Sequence, residues 1–480
     1  MRVVLVAVWT VCVACAGPVA TAGADLPVDA GSASDQAADV PLDTGTSPDQ
    51  AADVVPDAGT SPDQTTDLQL DAGTSPHQAA DAPPDTGTSP DQTADAPPDS
   101  VDATPTPFAV HEWATFTVFH AAKSLQHVPG VQRHEEQVPG FVPVRDLGPQ
   151  AAGAKEVLAE PVLAKVQTAG AWFHGGAGLQ VKATVALPQG IVTATWPPAA
   201  DQGPPPAAVT ALAFGKATWT VQLKPLAFDA VLTVAADSLF APLREVAALR
   251  VIDLAPTGKP PIQEGFLFWR ALAAFSPPVR LAAAAVENGQ FQVTLHNDGD
   301  VALPQVWLLH LHAGGGLLQA LGPVGPKSSV IKTPTPKETP AYYNEQVQTA
   351  LATALVGQGL ANDEAQALVA TFTHNWLKTF GLRIVVLAPA AWGQQWFPTT
   401  FVPQPTGHVR VVLGRFELLT AGDEAALVQQ VEAAAAKQDL GVLGALGFFA
   451  EPKARRALQV VSKEAQAFVQ KLVGAAEGVK

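Results

Sequence analysis

Short runs in which apolar and polar side chains alternate fill residues 108–335, and a period of two is typical of β-strands. In Leu179–Leu187 every second side chain is apolar. Pro188-Gln189-Gly190 then separates this run from a second apolar run, Ile191–Trp196. Because turn-forming residues lie between two strand-like runs, we predict a β-hairpin here.

A second hairpin is indicated further along the chain. Glu287-Asn288-Gly289 joins Val279–Val286 to Gln290–His296. Asn-Gly favours the tight turns of hairpins because both residues tolerate a positive φ. A further turn, His296-Asn297-Asp298-Gly299, precedes the apolar run Val306–His312. Short strands at this spacing predict a β-sandwich.

The apolar period becomes helical after Pro340. A helix is predicted to begin at Asn362 as its N-cap and to end before Gly381. Its apolar positions are Ala365, Leu368, Val369, Phe372 and Trp376. Residues 382–388 and 409–419 are apolar enough for buried strands, and further helices are predicted after Thr420, Pro452 and Ser462.

These patterns predict an α+β fold in two parts. Residues 106–338 would form a β-rich, sandwich-like domain. Residues 339–480 would form a helix-rich α+β domain in which the helices pack on a small sheet.

Residues 1–22 have the pattern of a signal peptide. Arg2 precedes the apolar stretch 3–14, which is shorter than the roughly 20 residues of a permanent membrane helix. Two processing routes compete. Ala20-Thr21-Ala22 fits cleavage with release, whereas Cys12-Val13-Ala14-Cys15 resembles a bacterial lipobox with Cys15 as the lipidated residue. We favour a lipoprotein anchored in a membrane through Cys15.

Residues 23–105 form an acidic spacer with a 14-residue repeat, whose copies start at Asp29, Asp43, Asp57, Asp71 and Asp85. The segment is rich in Asp, Pro and Thr and lacks a large apolar face that could stack as a solenoid. Such a composition does not offset the entropy lost on ordering, so we predict a disordered stalk.

The charge of the chain is concentrated in this spacer. Residues 25–104 hold 17 Asp and no Lys, Arg or Glu, although the formal net charge of the whole chain is −16. Residues 105–480 hold 27 basic and 27 acidic residues and are therefore neutral. A neutral domain lacks the basic excess of nucleic-acid binding. The only cysteines are Cys12 and Cys15, which excludes disulfides and thiolate chemistry from the rest of the chain.

The run Val110–Phe119 carries the clearest candidate chemistry. Its aromatic and β-branched residues predict a strand, on which neighbouring side chains point to opposite faces. His111 and Glu112 therefore cannot meet at one metal ion, and the helical zinc-protease pattern is absent because Thr115 stands four residues after His111.

A weaker metal hypothesis takes ligands from the following segment. His111, His134, Glu135 and Glu136 would supply nitrogen and oxygen ligands suited to zinc or another transition metal. The alternative, which we favour here, is that His111 and Glu112 make buried hydrogen bonds within the protein.

The segment His111-Glu112-Trp113-Ala114-Thr115-Phe116-Thr117 resembles the H-E-W-G-T-F-T signature of an uncharacterised family of secreted bacterial proteins, with Ala114 in place of the motif glycine. Similar segments recur over nearly all of 108–480, among them Phe266–Arg270, Gly414–Glu417 and Phe449–Pro452. The resemblance implies an exported protein and no particular activity, substrate or cofactor.

Two further groups are candidate binding residues. Arg415 and Glu417 share one face of a predicted strand, near Arg383 on a second strand. They would form a structural ion pair or, alternatively, a carboxylate-binding pocket. Trp392 and Trp396 lie in a Gly/Gln/Pro-containing segment that predicts an exposed loop, where they would form a platform for a glycan.

No nucleophile elbow, phosphate loop or dinucleotide fingerprint occurs in the sequence. The leading hypothesis is therefore an exported cell-envelope protein, a binding or structural module on a flexible stalk, with an envelope protein or glycan as its partner. The alternative is a metal-dependent hydrolase that uses the His and Glu residues near 111–136.

Overall fold

A computed structural model describes residues 107–122, 125, 127–130, 137–145, 163–204, 213–225, 231–254, 261–285, 291–334, 338–372 and 376–477. All of them belong to one compact unit, 96–480. The expected signal peptide, Cys15 and the repeats of 23–105 lie outside the described residues, as do His134, Glu135 and Glu136.

An eight-stranded sheet forms the centre of the fold. Its strands, in spatial order, are β12 (Gly315–Val324), β11 (Leu303–His312), β14 (Gly381–Leu387), β16 (Gly407–Leu418), β1 (Phe108–His120), β2 (Leu163–Gly175), β8 (Leu267–Ala274) and β4 (Gly190–Trp196). β1 pairs in parallel with β16, and the other pairs are antiparallel.

Two smaller sheets cover one face of the central sheet. One contains β15 (Thr399–Val402), β3 (Gln180–Leu187), β5 (Gly215–Lys224), β6 (Arg250–Asp253) and β7 (Gln263–Glu264); the other contains β13 (Ser328–Lys332), β10 (Phe291–Asn297) and β9 (Val279–Ala285). Phe116 of the central sheet, Trp219 and Leu295 belong to the same buried cluster. This layering confirms the sandwich-like part of the predicted α+β fold.

Helices cover the opposite face. These are α1 (Phe240–Arg244), α2 (Pro340–Gly357) and α3 (Asn362–Thr371). A second cluster joins them to Trp113 of β1, Trp172 of β2 and Trp307 of β11. Because both faces of the central sheet are covered, β1 is buried along most of its length.

The remaining helices are α4 (Ala390–Trp396), α5 (Ala421–Lys437), α6 (Val442–Leu446), α7 (Ala450–Val460) and α8 (Lys463–Glu477). α5 to α8 enclose a third cluster that includes Phe119 at the end of β1. Thr420 caps α5, since its hydroxyl accepts from the Asp423 amide, as the sequence predicts. No helix among the described residues is both long enough and apolar enough to cross a bilayer.

The first predicted hairpin is wrong, although both of its strands exist. β3 pairs with β5 and β15, whereas β4 pairs with β8 in the central sheet. The two strands differ in burial: β3 alternates between exposed and buried positions, while β4 is buried at almost every position. The second prediction is correct, because β9 and β10 are antiparallel neighbours.

The expected boundary near residue 338 separates a strand-rich from a helix-rich stretch of chain. It does not divide the central sheet between two domains. β14 and β16 come from the later stretch, yet they lie between β11 and β1 in the central sheet. The expected small second sheet is therefore absent from the described residues. α3 begins one residue earlier than predicted, because its N-cap is Ala361 and not Asn362.

Two neighbouring histidines, a buried one and a half-buried one, lie at the far end of β1. His120 is fully buried and its ring centroid lies 4.3 Å from that of His127. Burial lowers the pKa of His120 well below its usual value, and burial lowers that of His127 to about 4. In the folded protein both side chains therefore bind protons less readily than they do in the unfolded chain.

Acidification is expected to destabilise the domain through these residues. Below pH 6.5 the unfolded chain binds protons that buried His120 does not accept, so the free energy of unfolding falls with decreasing pH down to the folded-state pKa. Each such group changes the free energy of unfolding by up to about 1.4 kcal/mol per pH unit. We expect His120→Phe to reduce this slope in urea titrations between pH 7 and 5.

His296→Phe, in the three-stranded sheet, is the matched control for the loss of one histidine. If the free energy of unfolding of His120→Phe depends on pH as that of the wild type does, His120 does not cause the loss of stability.

Candidate functional site

β1 sends His111 and Glu112 to opposite sides of the central sheet, as the sequence predicts. Glu112 is 4% exposed on the side of the smaller sheets. Its Oε2 accepts from Thr399 Oγ1 at 2.8 Å and lies 2.5 Å from His408 Nε2. Glu112 therefore links β1, β15 and β16, which agrees with the expectation of a buried hydrogen-bonded residue.

His111 lies on the other face, with a second histidine beside it. The antiparallel register opposes Ala109 to His174 and His111 to Trp172, so His174 is the diagonal neighbour of His111 on the same face. Their ring centroids are 4.5 Å apart. Both side chains are partly accessible, at 18% and 27% exposure.

The acidic partner of both histidines is Glu364, near the start of α3. His111 Nδ1 lies 2.7 Å from Glu364 Oε2, and His174 Nε2 lies 2.8 Å from Oε1. The amide of Ala361 also donates to Oε2, at 2.7 Å. Glu364 thus occupies the helix position where a carboxylate satisfies a free amide and interacts favourably with the helix dipole.

The environment keeps the fully buried Glu364 ionised. Burial alone would raise its pKa, but hydrogen bonds with His111, His174 and the Ala361 amide lower the pKa of Glu364 to about 2. A metal ligand must be deprotonated, and this carboxylate is already so at neutral pH.

The three side chains form a group of candidate metal ligands. The ligand atoms of His111, His174 and Glu364 all lie within 4.8 Å of one another. Two imidazoles and one carboxylate suit zinc and related transition metals. Without a metal, the same atoms form two hydrogen bonds that join β1 and β2 to α3.

The structure tests the predicted ligand set only at His111. His111 belongs to the group, but its neighbours there are His174 and Glu364; the other predicted ligands, His134, Glu135 and Glu136, lie outside the described residues. His174 and Glu364 were not predicted. His174 lies in a strand and Glu364 at a helix start, and only the strand register and helix packing bring them to His111.

The second predicted group does come together. Arg383 Nε and Arg415 Nε lie 2.9 and 2.5 Å from Glu417 Oε1. Arg383 also donates to the carbonyls of Trp376 and Thr379. Both guanidinium groups are fully buried, so this arrangement supports the structural ion pair and not a ligand-binding role for the arginines.

The expectation of exposed tryptophans is wrong. Trp392 and Trp396 lie on α4, a short helix, and are only 5% and 9% exposed. Trp396 stacks on Phe275 with ring centroids 4.2 Å apart. Both side chains pack in the core, so their rings are not accessible to a glycan. Trp376 is also buried, as predicted, but it lies beyond the helix on which it was placed, because α3 ends at Thr371.

Comparison with known proteins adds little to this geometry. No protein-family model matches the chain, and a comparison with curated proteins gives no match. Among solved structures, the chain is similar to the yeast delta-COP-I mu-homology domain complexed with a Dsl1 WxWxV peptide. That match has 5% identity and a TM-score of 0.24, and covers 65% of this chain and 98% of that one. Similarity at this level supports no statement on function.

Glu417→Gln is expected to lower the free energy of unfolding by about 3–5 kcal/mol, because it leaves two buried guanidinium groups without their carboxylate. Urea titration of the variant against the wild type measures the loss. Glu345→Gln, at an exposed position of α2, is the control and should change stability by less than about 0.5 kcal/mol. Equal effects of the two substitutions would contradict the ion-pair assignment.

Proposed function

We propose that this chain is an exported cell-envelope protein whose folded domain binds a transition metal ion, zinc in the first instance, through His111, His174 and Glu364. The observation that carries the proposal is the convergence of two imidazoles on one buried carboxylate. The partial exposure of both histidines supports access of an ion from solvent.

The sequence supports the envelope location. The signal-peptide pattern of 1–22 provides export, and Cys15 provides a lipid anchor in a membrane. The acidic repeats of 23–105 would hold the domain away from the membrane surface, because like charges extend a disordered chain. The resemblance to secreted bacterial proteins agrees with this arrangement.

A metal-dependent hydrolase is the second candidate. One feature favours it: the site offers three protein ligands, the number usual in catalytic zinc sites, whereas structural zinc sites usually have four. Zinc-dependent hydrolysis of a p-nitrophenyl ester that His174→Ala abolishes would favour the hydrolase over a binding module.

Zinc should bind the purified protein with a stoichiometry of one, as measured by elemental analysis after dialysis. We expect His111→Ala and His174→Ala each to weaken zinc binding on the order of 100-fold or more, since even a change behind a metal ligand costs 10–100-fold. Cobalt substitution should give visible absorption bands that both variants lose.

His296→Ala is the control for metal binding at a histidine outside the site. Chelation should lower the melting temperature of the zinc-loaded wild type and leave that of His174→Ala unchanged, because a ligand stabilises only the form that binds it. If the wild type and His174→Ala retain equal zinc, the three residues have only a structural role.

Cys15→Ala is expected to release the protein from the membrane fraction, because the variant lacks the sulfur that carries the lipid. Detergent phase partitioning of cell extracts measures this change. Cys12→Ala is the matched control and should stay with the membranes. Equal partitioning of wild type and Cys15→Ala into the aqueous phase would favour cleavage after Ala22.

A further inference from the structure

A cavity of about 480 Å³ lies where the end of the central sheet meets the C-terminal helices. Glu417 and Leu418 of β16, Leu427 of α5 and Lys453 of α7 contribute to its walls. Its volume is within the range of small-molecule sites in proteins. Phe119 also lines it, about 26 Å along β1 from His111 at the strand's usual rise, so the cavity is separate from the candidate metal site.

Lys453 is the cationic group with free hydrogen-bonding capacity in this cavity. Its ammonium donates to the carbonyl of Leu446 at 3.0 Å. An ammonium has three protons to donate, and the structure gives Lys453 no carboxylate at ion-pair distance within the described residues. Burial lowers the pKa of Lys453, while the more distant charges of Glu417 and Asp423 raise it.

The other charged groups of the cavity are engaged elsewhere. Glu417 is held by the two buried arginines. Asp423 accepts from the amide and hydroxyl of Thr420 at the start of α5. Burial lowers the pKa of His310 to about 4, so this side chain is neutral at physiological pH. Lys453 is the one lysine or arginine among the residues that line the cavity, so it is the cation available to a charged ligand.

The rest of the lining is largely apolar. Phe119, Leu427, Leu446 and Phe449 are buried around the cavity. At its edge, Phe380 is 62% exposed and Phe448 is 36% exposed. Exposed aromatic side chains beside a cavity are typical of a surface that binds an apolar ligand.

We propose that this cavity binds an amphiphilic monoanion, with a carboxylate head at the ammonium of Lys453 and an apolar body between the phenylalanine and leucine side chains. A medium-chain fatty acid has this chemistry. The ammonium supplies a charge-assisted hydrogen bond, and the apolar walls supply the burial of the chain. The site is independent of metal binding.

Binding of decanoate and of uncharged decanol, both below their aggregation limits, to the purified full-length protein tests the proposal by titration calorimetry. We expect Lys453→Met to weaken decanoate binding by about tenfold or more and to change decanol binding by less than about twofold. Lys471→Met, at an exposed position of α8, is the control and should change neither.

Ala445→Trp provides a second variant that does not depend on the charge. Ala445 is exposed and lines the cavity, so an indole there should block both ligands. The proposal is overturned if decanoate does not bind the wild type, if decanol binds it as tightly as decanoate, or if Lys453→Met binds decanoate normally. It is also overturned if Ala445→Trp retains full binding.

Discussion

The parallel pairing of β1 with β16 is the contact on which the rest of the structure depends. Strand β1 is apolar on both faces, so it is stable only inside a sheet that is covered on both sides. A parallel neighbour requires a long connection, and here residues 121–406 provide it. The first strand of the described residues is therefore buried only after one of the last, β16, has joined the sheet.

Polar side chains of β1 belong to separate sites on the two faces of the central sheet. Because successive side chains alternate, Glu112 faces the smaller sheets while His111 faces the helices. The end of β1 extends into the third core cluster, where Phe119 borders the cavity of Lys453. One strand therefore contributes to a buried hydrogen-bond network, a candidate metal site and a candidate ligand site.

Local patterns predicted many of the strands and helices, and the β9–β10 pair, but few of the other strand partners. The period of β3 indicates a strand, yet no local signal shows that β4 joins a different sheet. His111, Arg383 and Glu417 could be predicted because each lies in a segment whose sequence clearly indicates a strand. His174 and Glu364 could not, because strand register and helix packing, which depend on distant parts of the chain, bring them to His111.

Hydrogen bonds hold the three residues of the candidate metal site together. His111 and His174 hydrogen-bond the carboxylate of Glu364, and a bound metal ion would replace those two contacts by coordination. The hydrogen bond from the Ala361 amide to Glu364 is compatible with metal coordination by Glu364. It would therefore stabilise the start of α3 with or without an ion. Small zinc domains, by contrast, unfold without their ion because they have little other core. Here three large apolar clusters hold the fold, so folding would not depend on an ion.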